Sequence, residues 1–470
     1  MPDDATVLAA LKTQLPEAAF RPVEPRYLEE PRGRWQGAAL AVVAPSDASQ
    51  VSNLLKICHE FRVPVVPYSG GTGLVGGQMK EGGAAPIVLS MERMVACRGV
   101  DAVAGTMVVE AGAILEQVQG WAADAGWLFP LTLASQGSAR IGGLLATNAG
   151  GVNVIRYGNA RDLTLGIEAV LADGTVVNSL SPLRKNNTGY DLRHLLIGSE
   201  GTLGVITAAA LRLFPQPAAR GAAMMAVPSP EAALRLLRMA QERIGEGISA
   251  FELIGRMGFA FLKEVGPDVR QPFDIAPEWC CLIDLGLSHG APEEALEGLF
   301  ADAFEAGVVT DGVVAQSEGQ RAEFWAIRES IPEANRRIGS VSSHDISVPV
   351  AAIPDFIAEA PGRLEKINSY RINCFGHLGD GNLHYNVFPQ PGKTRADHDH
   401  ERVAVKACVH DLVHEMGGSV SAEHGIGRLK VGDLETYGDP GKLAAMRAIK
   451  AALDPRGILN PGAVLRQEQV

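Results

Sequence analysis

The chain is poor in the features that would mark several protein classes. Its six cysteines (Cys58, Cys97, Cys280, Cys281, Cys374 and Cys408) form no C-x-x-C pair and show no regular spacing. That argues against a disulfide framework or a cysteine-based zinc site, and all six read as reduced, buried and inert. Lysine plus arginine (42) fall short of aspartate plus glutamate (54), the net charge is −12, and no basic run exceeds Arg184-Lys185. Nucleic acid is therefore not an expected partner. No apolar stretch is long and uninterrupted enough to span a bilayer, because the most hydrophobic window, 195–214, carries Glu200, Arg212 and several glycines. The first residues, Met1-Pro-Asp-Asp-Ala, are acidic, and no apolar or arginine-rich presequence follows. The expected location is cytoplasmic, at most peripheral to a membrane. No repeat of 20 to 50 residues is evident.

What the chain does have is apolar bulk. Hydrophobic residues make up 46% of 470 positions, enough for a large core, and the length corresponds to about three domain-sized units. Residues 1–35 read as an N-terminal brace: Val7, Leu8, Leu11 and Leu15 recur at helical spacing, and Pro22, Pro25 and Pro31 follow. From residue 39 the pattern runs strand (39–43), helix (47–61, capped by Ser46 or Asp47) and strand (63–66), then a glycine cluster. Short strands recur at 87–89, 105–110, 166–171, 175–177 and 204–213, with a helix at 113–125, until Phe214-Pro-Gln-Pro217. Beyond it, helices at 231–242, 292–306, 320–338 and 398–416 alternate with strands at 221–227, 280–285 and 345–349. This texture predicts an α+β layer with an antiparallel sheet. The expected organisation is thus 1–35, 36–217, 218–420 and a C-terminal segment, 421–470, returning to the 36–217 domain.

The glycine cluster after residue 66 contains a formal G-x-G-x-x-G at Gly71, Gly73 and Gly76. A nicotinamide-type loop must open a helix, yet Gly77-Gln-Met-Lys-Glu-Gly-Gly-Ala-Ala-Pro86 cannot propagate one. The glycines instead suit a nest of backbone N–H groups for a diphosphate, with the Ser69 and Thr72 hydroxyls as further donors. A second cluster at 132–151 and a third, Gly198-Ser-Glu-Gly-Thr-Leu-Gly204, again mix glycine with small polar residues. Taken singly, each also reads as a surface turn; together they imply one long diphosphate ligand.

On these motifs, residues 35–217 resemble the FAD-binding domain of the vanillyl-alcohol oxidase superfamily. The second half resembles the C-terminal domain of FAD-dependent D-2-hydroxyacid dehydrogenases, and the likeness covers about 430 residues. The fold class it implies is α+β: a two-part FAD-binding domain plus a substrate (cap) domain with an antiparallel sheet. It places FAD contacts at Ser69, Gly70, Gly71, Thr72, Gly73 and Leu74 in the first loop and at Ser135, Gly137, Ile141, Gly142, Gly143, Thr147, Asn148, Gly150, Tyr157 and Gly158 around the second. Glu200, Gly201, Val205, Ile206 and Asn460 complete the set. Some members bond the flavin through a histidine in the first loop; Tyr68-Ser69 stands here, so the FAD is expected to be non-covalent.

In Phe375-Gly-His-Leu-Gly-Asp-Gly-Asn-Leu-His-Tyr-Asn386, His377 and His384 stand either side of a tight turn at Gly379, Asp380 and Gly381. Glu423, among flexible glycines, could add a carboxylate. Two imidazoles and a carboxylate suit Zn²⁺, with Mn²⁺, Fe²⁺ or Co²⁺ as alternatives. By spacing alone such a histidine pair is more often structural than metal-binding, but metal-dependent members of the family use the positions of His377, His384 and Glu423. His424 then becomes the base for the C2 hydroxyl proton, its alternative being an outer hydrogen-bond donor. Neighbouring side chains in extended chain diverge, so Glu423 and His424 serve one site only with the metal beside the substrate. Arg328 matches the family's carboxylate-binding arginine, against the alternative of a surface arginine near Arg321, Arg336 and Arg337; Asn386 is a further substrate contact. Two positions depart from the pattern: Ser343 stands where glutarate-type members carry lysine, and Pro332 where they carry threonine. A shorter or apolar acid such as D-lactate is then at least as well suited as D-2-hydroxyglutarate. The expected acceptor is electron-transfer flavoprotein or a quinone. The competing readings are an oxidase using O₂, an FAD-binding subunit of a glycolate-oxidase-like complex, and a metal hydrolase. A homodimer is compatible with the size.

Overall fold

The computed structural model describes residues 3–33 and 35–467; the outermost residues of the brace and of the C-terminal segment, with residue 34, lie outside them. The chain forms two compact units. The first takes the chain up to Gly151, Gly158–Pro215 and the chain from Glu423; the second takes Val152–Tyr157 and Gln216–Ala422.

In the first unit the opening helix, Asp4–Gln14, is capped by Asp3, whose side chain accepts from the Thr6 N–H. Its Val7 and Leu11, with Leu15, enter the same core as Leu54, Leu55 and Ile57 of the helix Ala48–Phe61. The brace is therefore part of the first unit's core and not a separate domain. Ala41–Val43, Ile87–Ser90 and Val65–Tyr68 pair in parallel, and Phe20–Arg21 closes one edge antiparallel. A second sheet of five strands, entirely antiparallel, runs Cys97–Asp101, Thr106–Glu110, Val205–Arg212, Thr164–Val170, Val176–Ser179. After Tyr68 the glycine-rich chain makes turns and bends and no helix until Ile87. The 132–151 cluster, by contrast, contains the short helix Ile141–Ala146. From the C-terminal segment, Ile458 and Leu459 pack into the first core, and Leu459 bridges to Val65.

The second unit is built on a seven-stranded antiparallel sheet. Its order is Asp311–Val314, Ala219–Val227, Trp279–Leu287, Ile248–Gly255, Arg371–His377, Asn382–Phe388, Ser342–Ser347. The long helix Glu318–Ile338 is capped by Ser317 and packs over this sheet, burying Phe324, Ile327, Arg328 and Ile331. Pro332 interrupts it one turn after Arg328, withholding the N–H that the Arg328 carbonyl would otherwise accept. The helix expected at 398–416 starts with a 3₁₀ stretch, Arg395–Glu401, because Asp397 turns back onto the Thr394 N–H and hydroxyl. Tyr157 belongs to this second unit: Arg156 beside it donates to the Gly286 carbonyl at 2.7 Å and to Ser249 Oγ at 3.1 Å.

Among the described residues no helix is long and apolar enough to cross a membrane. All six cysteines are unbridged. Burial pushes the Cys374 thiol up to about 12, but Cys97 and Cys408 are only partly buried, which corrects the expectation that all six are interior.

Candidate functional site

The three glycine-rich segments of the first unit converge on a cavity that opens to solvent. They converge because backbone, not side chain, fills the gaps. A Cβ on Gly70 would stand 2.5 Å from the Ser138 carbonyl, one on Gly142 2.8 Å from the Ala111 Cβ, and one on Gly143 2.9 Å from the Ser69 Cβ. The Gly143 N–H donates to Ser69 Oγ at 3.0 Å, tying the first loop to the second. Of the residues read as FAD contacts, Ser69, Gly70, Gly71, Thr72, Gly73, Gly142, Gly143, Thr147, Glu200, Gly201, Val205 and Ile206 line the cavity, and His424 stands in the same wall.

Leu74, Ser135, Gly137, Ile141, Asn148, Gly150, Gly158 and Asn460 are not in that wall, and Tyr157 lies in the other unit. Several of these shape it from behind. Ile141 is core, Asn148 Oδ1 accepts from the Arg161 N–H, and Asn460 Nδ2 donates to the Gly77 and Glu200 carbonyls, both at 2.9 Å. Among the lining residues outside the expected set, two are polar and shape the site. Arg140 adds a guanidinium, and Gln78 braces the first loop through the Gly73 carbonyl at 2.8 Å. The convergent glycine loops, their hydroxyls and the Arg140 cation fit a diphosphate cofactor.

Glu200 has a second part besides lining the cavity. It sits in left-handed backbone (φ 52°) and is nearly buried. Its two oxygens accept the Ile426 and Gly427 N–H groups, each at 2.7 Å. Burial pushes this carboxyl above its ordinary range, against the downward pull of those N–H groups. Glu200 therefore clamps the loop that carries His424. Glu200→Gln would turn an amide donor towards one buried N–H, at a cost of about 1–3 kcal/mol. The expected result is FAD affinity about tenfold lower, measured by titrating the apoprotein; unchanged affinity and unchanged turnover would detach Glu200 from the site.

The second unit carries a polar patch on one face of its sheet. Opposed residues of an antiparallel pair share a face, and the register opposes Glu252 to His377, Phe375 to His384, His384 to Asp345, and Asn386 to both Asn373 and Ser343. The His377 and His384 rings lie 5.6 Å apart between centroids, at 78°. The turn between them needs Gly381 at φ 84°, where a Cβ would run into the Val348 carbonyl. From the helix above, Arg321, Trp325 and Arg328 fall at i, i+4 and i+7 and meet acids on neighbouring strands. Arg321 Nε and Trp325 Nε1 donate to Asp284 at 2.8 and 2.7 Å. Arg328 Nε donates to Glu252 at 2.7 Å, and its guanidinium lies 4.6 Å from the Phe375 ring centroid.

Glu252 is completely buried, with His377 Nδ1 2.6 Å from its other oxygen. Burial alone would raise this carboxyl; His377 and Arg328 together hold it at about 2. Neither Glu252 nor Asp284 was anticipated, although a lone acid inside Ala250-Phe-Glu-Leu-Ile254, and another inside Cys280-Cys-Leu-Ile-Asp284, was the available signal. Asn386 is buried, and its Nδ2 donates to the His384 carbonyl at 3.3 Å. Glu423 begins the returning segment of the first unit, where it accepts the Gly151 N–H at 3.0 Å.

Two family descriptions match the chain: "FAD binding domain" over residues 39–179, and "FAD linked oxidases, C-terminal domain" over residues 216–464. A mitochondrial D-2-hydroxyglutarate dehydrogenase of Bos taurus is 37% identical over 458 residues, covering 97% of this chain and 82% of that one. The chain belongs to the FAD-linked D-2-hydroxyacid dehydrogenase family. It is an oxidoreductase with an FAD-binding domain. Another family member, the D-2-hydroxyglutarate dehydrogenase of Xanthomonas citri pv. viticola, is 36% identical over 430 residues, covering 91% of this chain and 90% of its own. The fold is shared more widely: a p-cresol methylhydroxylase structure superposes with a TM-score of 0.73 at 17% identity, covering 98% of this chain and 97% of that one.

The two positions read as departures from the family's pattern have definite places. Ser343 is exposed on the edge strand opposite Asn386, its Oγ 2.7 Å from Ser340 Oγ. Pro332 is exposed on the helix bearing Arg328.

Proposed function

We propose that the protein oxidises a D-2-hydroxy acid to the 2-oxo acid, and that electrons leave for electron-transfer flavoprotein or a quinone. The observation that carries the reading is His424 in the wall of the cavity formed by the glycine-rich loops. Bound FAD supplies the two-electron acceptor for the hydride from C2. His424 accepts the C2 hydroxyl proton on an imidazole nitrogen. Arg328, with Nε committed to Glu252, offers its two Nη groups as a fork for the C1 carboxylate, and Asn386 adds a hydrogen bond.

His377 and His384 fit a divalent metal as a donor set, and Glu423 is proposed as the third ligand. The support is the adjacent imidazoles with His377 held at Nδ1. Such an ion, Zn²⁺ before Mn²⁺, Fe²⁺ or Co²⁺, would supply a Lewis acid for the substrate hydroxyl. With serine and proline at 343 and 332, the side chain best accommodated is short or uncharged. The names of the relatives favour D-2-hydroxyglutarate as the second reading. A cytoplasmic location belongs to this proposal, beside the mitochondrial name of the Bos taurus relative.

The test is anaerobic mixing of flavin- and metal-replete protein with D- and L-2-hydroxy acids while absorbance at about 450 nm is followed. Bleaching by one D-acid supports the reading, and its chain length chooses between the two substrates. A flavoprotein that no hydroxy acid bleaches overturns it. Arg328→Lys replaces a planar fork with a point charge and is expected to raise KM for the acid about tenfold with a smaller change in kcat; an unchanged KM would remove Arg328 from substrate binding.

A further inference from the structure

We infer that Glu252 is a positioning residue that sets the metal-binding imidazole and the carboxylate-binding guanidinium at once; this rests on the roles proposed above for His377 and Arg328. Its strand neighbours Phe251, Leu253 and Ile254 are all core, and the carboxylate is fully buried. A lone acid survives there only when both oxygens are satisfied. They are satisfied by two different functional groups, His377 Nδ1 at 2.6 Å and Arg328 Nε at 2.7 Å.

The first bond decides the tautomer. A carboxylate can only accept, so the proton resides on His377 Nδ1 and the lone pair on Nε2, the form an imidazole needs to ligate a cation. Because Glu252 stands directly opposite His377 in the register, the bond also fixes the ring plane. The second bond, with the Phe375 ring beneath the guanidinium at 4.6 Å, leaves Arg328 no rotation about its own axis. Metal ligand and substrate clamp are thereby held to one rigid acid. Asp284, its counterpart one strand away, holds Arg321 and Trp325 in a similar way. It touches neither of the two proposed functional groups through those bonds, which makes it the control for a merely structural role.

The experiment uses the FAD-loaded full chain, stripped of metal by a chelator and titrated with Zn²⁺ against a chromophoric competitor. Co²⁺ loading then reports the ligand field by its visible bands. Glu252→Gln is expected to weaken Zn²⁺ binding about 10- to 100-fold and to shift the Co²⁺ bands. KM for the acid should rise with them. Glu252→Asp keeps the buried charge but is one methylene too short to reach both partners; it should show the same losses, smaller, and decides the matter if the Gln variant does not fold. Asp284→Asn should keep wild-type Zn²⁺ affinity. Wild-type Zn²⁺ affinity in both Glu252 variants, or an equal loss in Asp284→Asn, overturns the inference alone. A wild-type protein that takes up no Zn²⁺ overturns the metal reading and this inference with it.

Discussion

His424→Ala is expected to lower turnover by about 10²-fold or more while the flavin stays bound. The two halves of that statement rest on different residues. Flavin retention is expected to depend on the glycine loops and on the Glu200 clamp, which grips the N–H groups of Ile426 and Gly427 and does not use the His424 side chain. Removing the imidazole therefore leaves the Glu200 clamp in place and takes away the proposed proton acceptor. The measurement is steady-state turnover beside the flavin-to-protein absorbance ratio, with added imidazole as a rescue. Near-normal turnover would remove His424 from the chemistry. Loss of flavin together with activity would show instead that the side chain is structural.

The second large effect concerns the metal. On the proposed metal role, His377→Ala is expected to lose bound metal and about 10²-fold or more of the activity together, because the polarising ion would go with its ligand. Glu252 complicates this variant, since the deletion strips a buried carboxylate of one of its two partners. His384→Ala provides the separation. His384 lies on the neighbouring strand with ring contacts to His377 and Phe375, and Glu252 bonds His377 and Arg328, so loss of His384 is expected to cost the proposed metal while keeping both bonds to the acid. Metal content by elemental analysis, read beside turnover, checks both variants. Full activity in either metal-free protein would sink the metal reading.

Much of the first unit was legible from local chain chemistry. Asp47 caps the helix Ala48–Phe61, as its position before an apolar-periodic run suggests. The G-x-G-x-x-G was separable from a nicotinamide loop because residues 77–86 hold too many glycines to propagate a helix, and they form none. The matched families bear out the FAD-binding domain and the oxidase domain. Elements were misjudged where a distant partner decides the matter. Ile141–Ala146 reads as glycine-rich loop, yet it coils because Gly142 and Gly143 let it settle against Ala111 and Ser69. Tyr157, close in sequence to the second glycine cluster, is carried into the other unit by the hydrogen bonds of Arg156.

The sequence by itself determined what depends on short-range spacing: the α+β class, the glycine loops, the imidazole pair around its turn, and the family to which these belong. Glycine content and side-chain period act over a few residues, so they can be read without a partner. The tertiary structure alone decided which acids matter. Glu252 and His377 are 125 positions apart, and Glu252 and Arg328 are 76 apart. Only the register of an antiparallel sheet, with a helix laid across it, brings one carboxylate between an imidazole and a guanidinium. That register is set by the packing of the whole second unit, and no spacing within the chain encodes it.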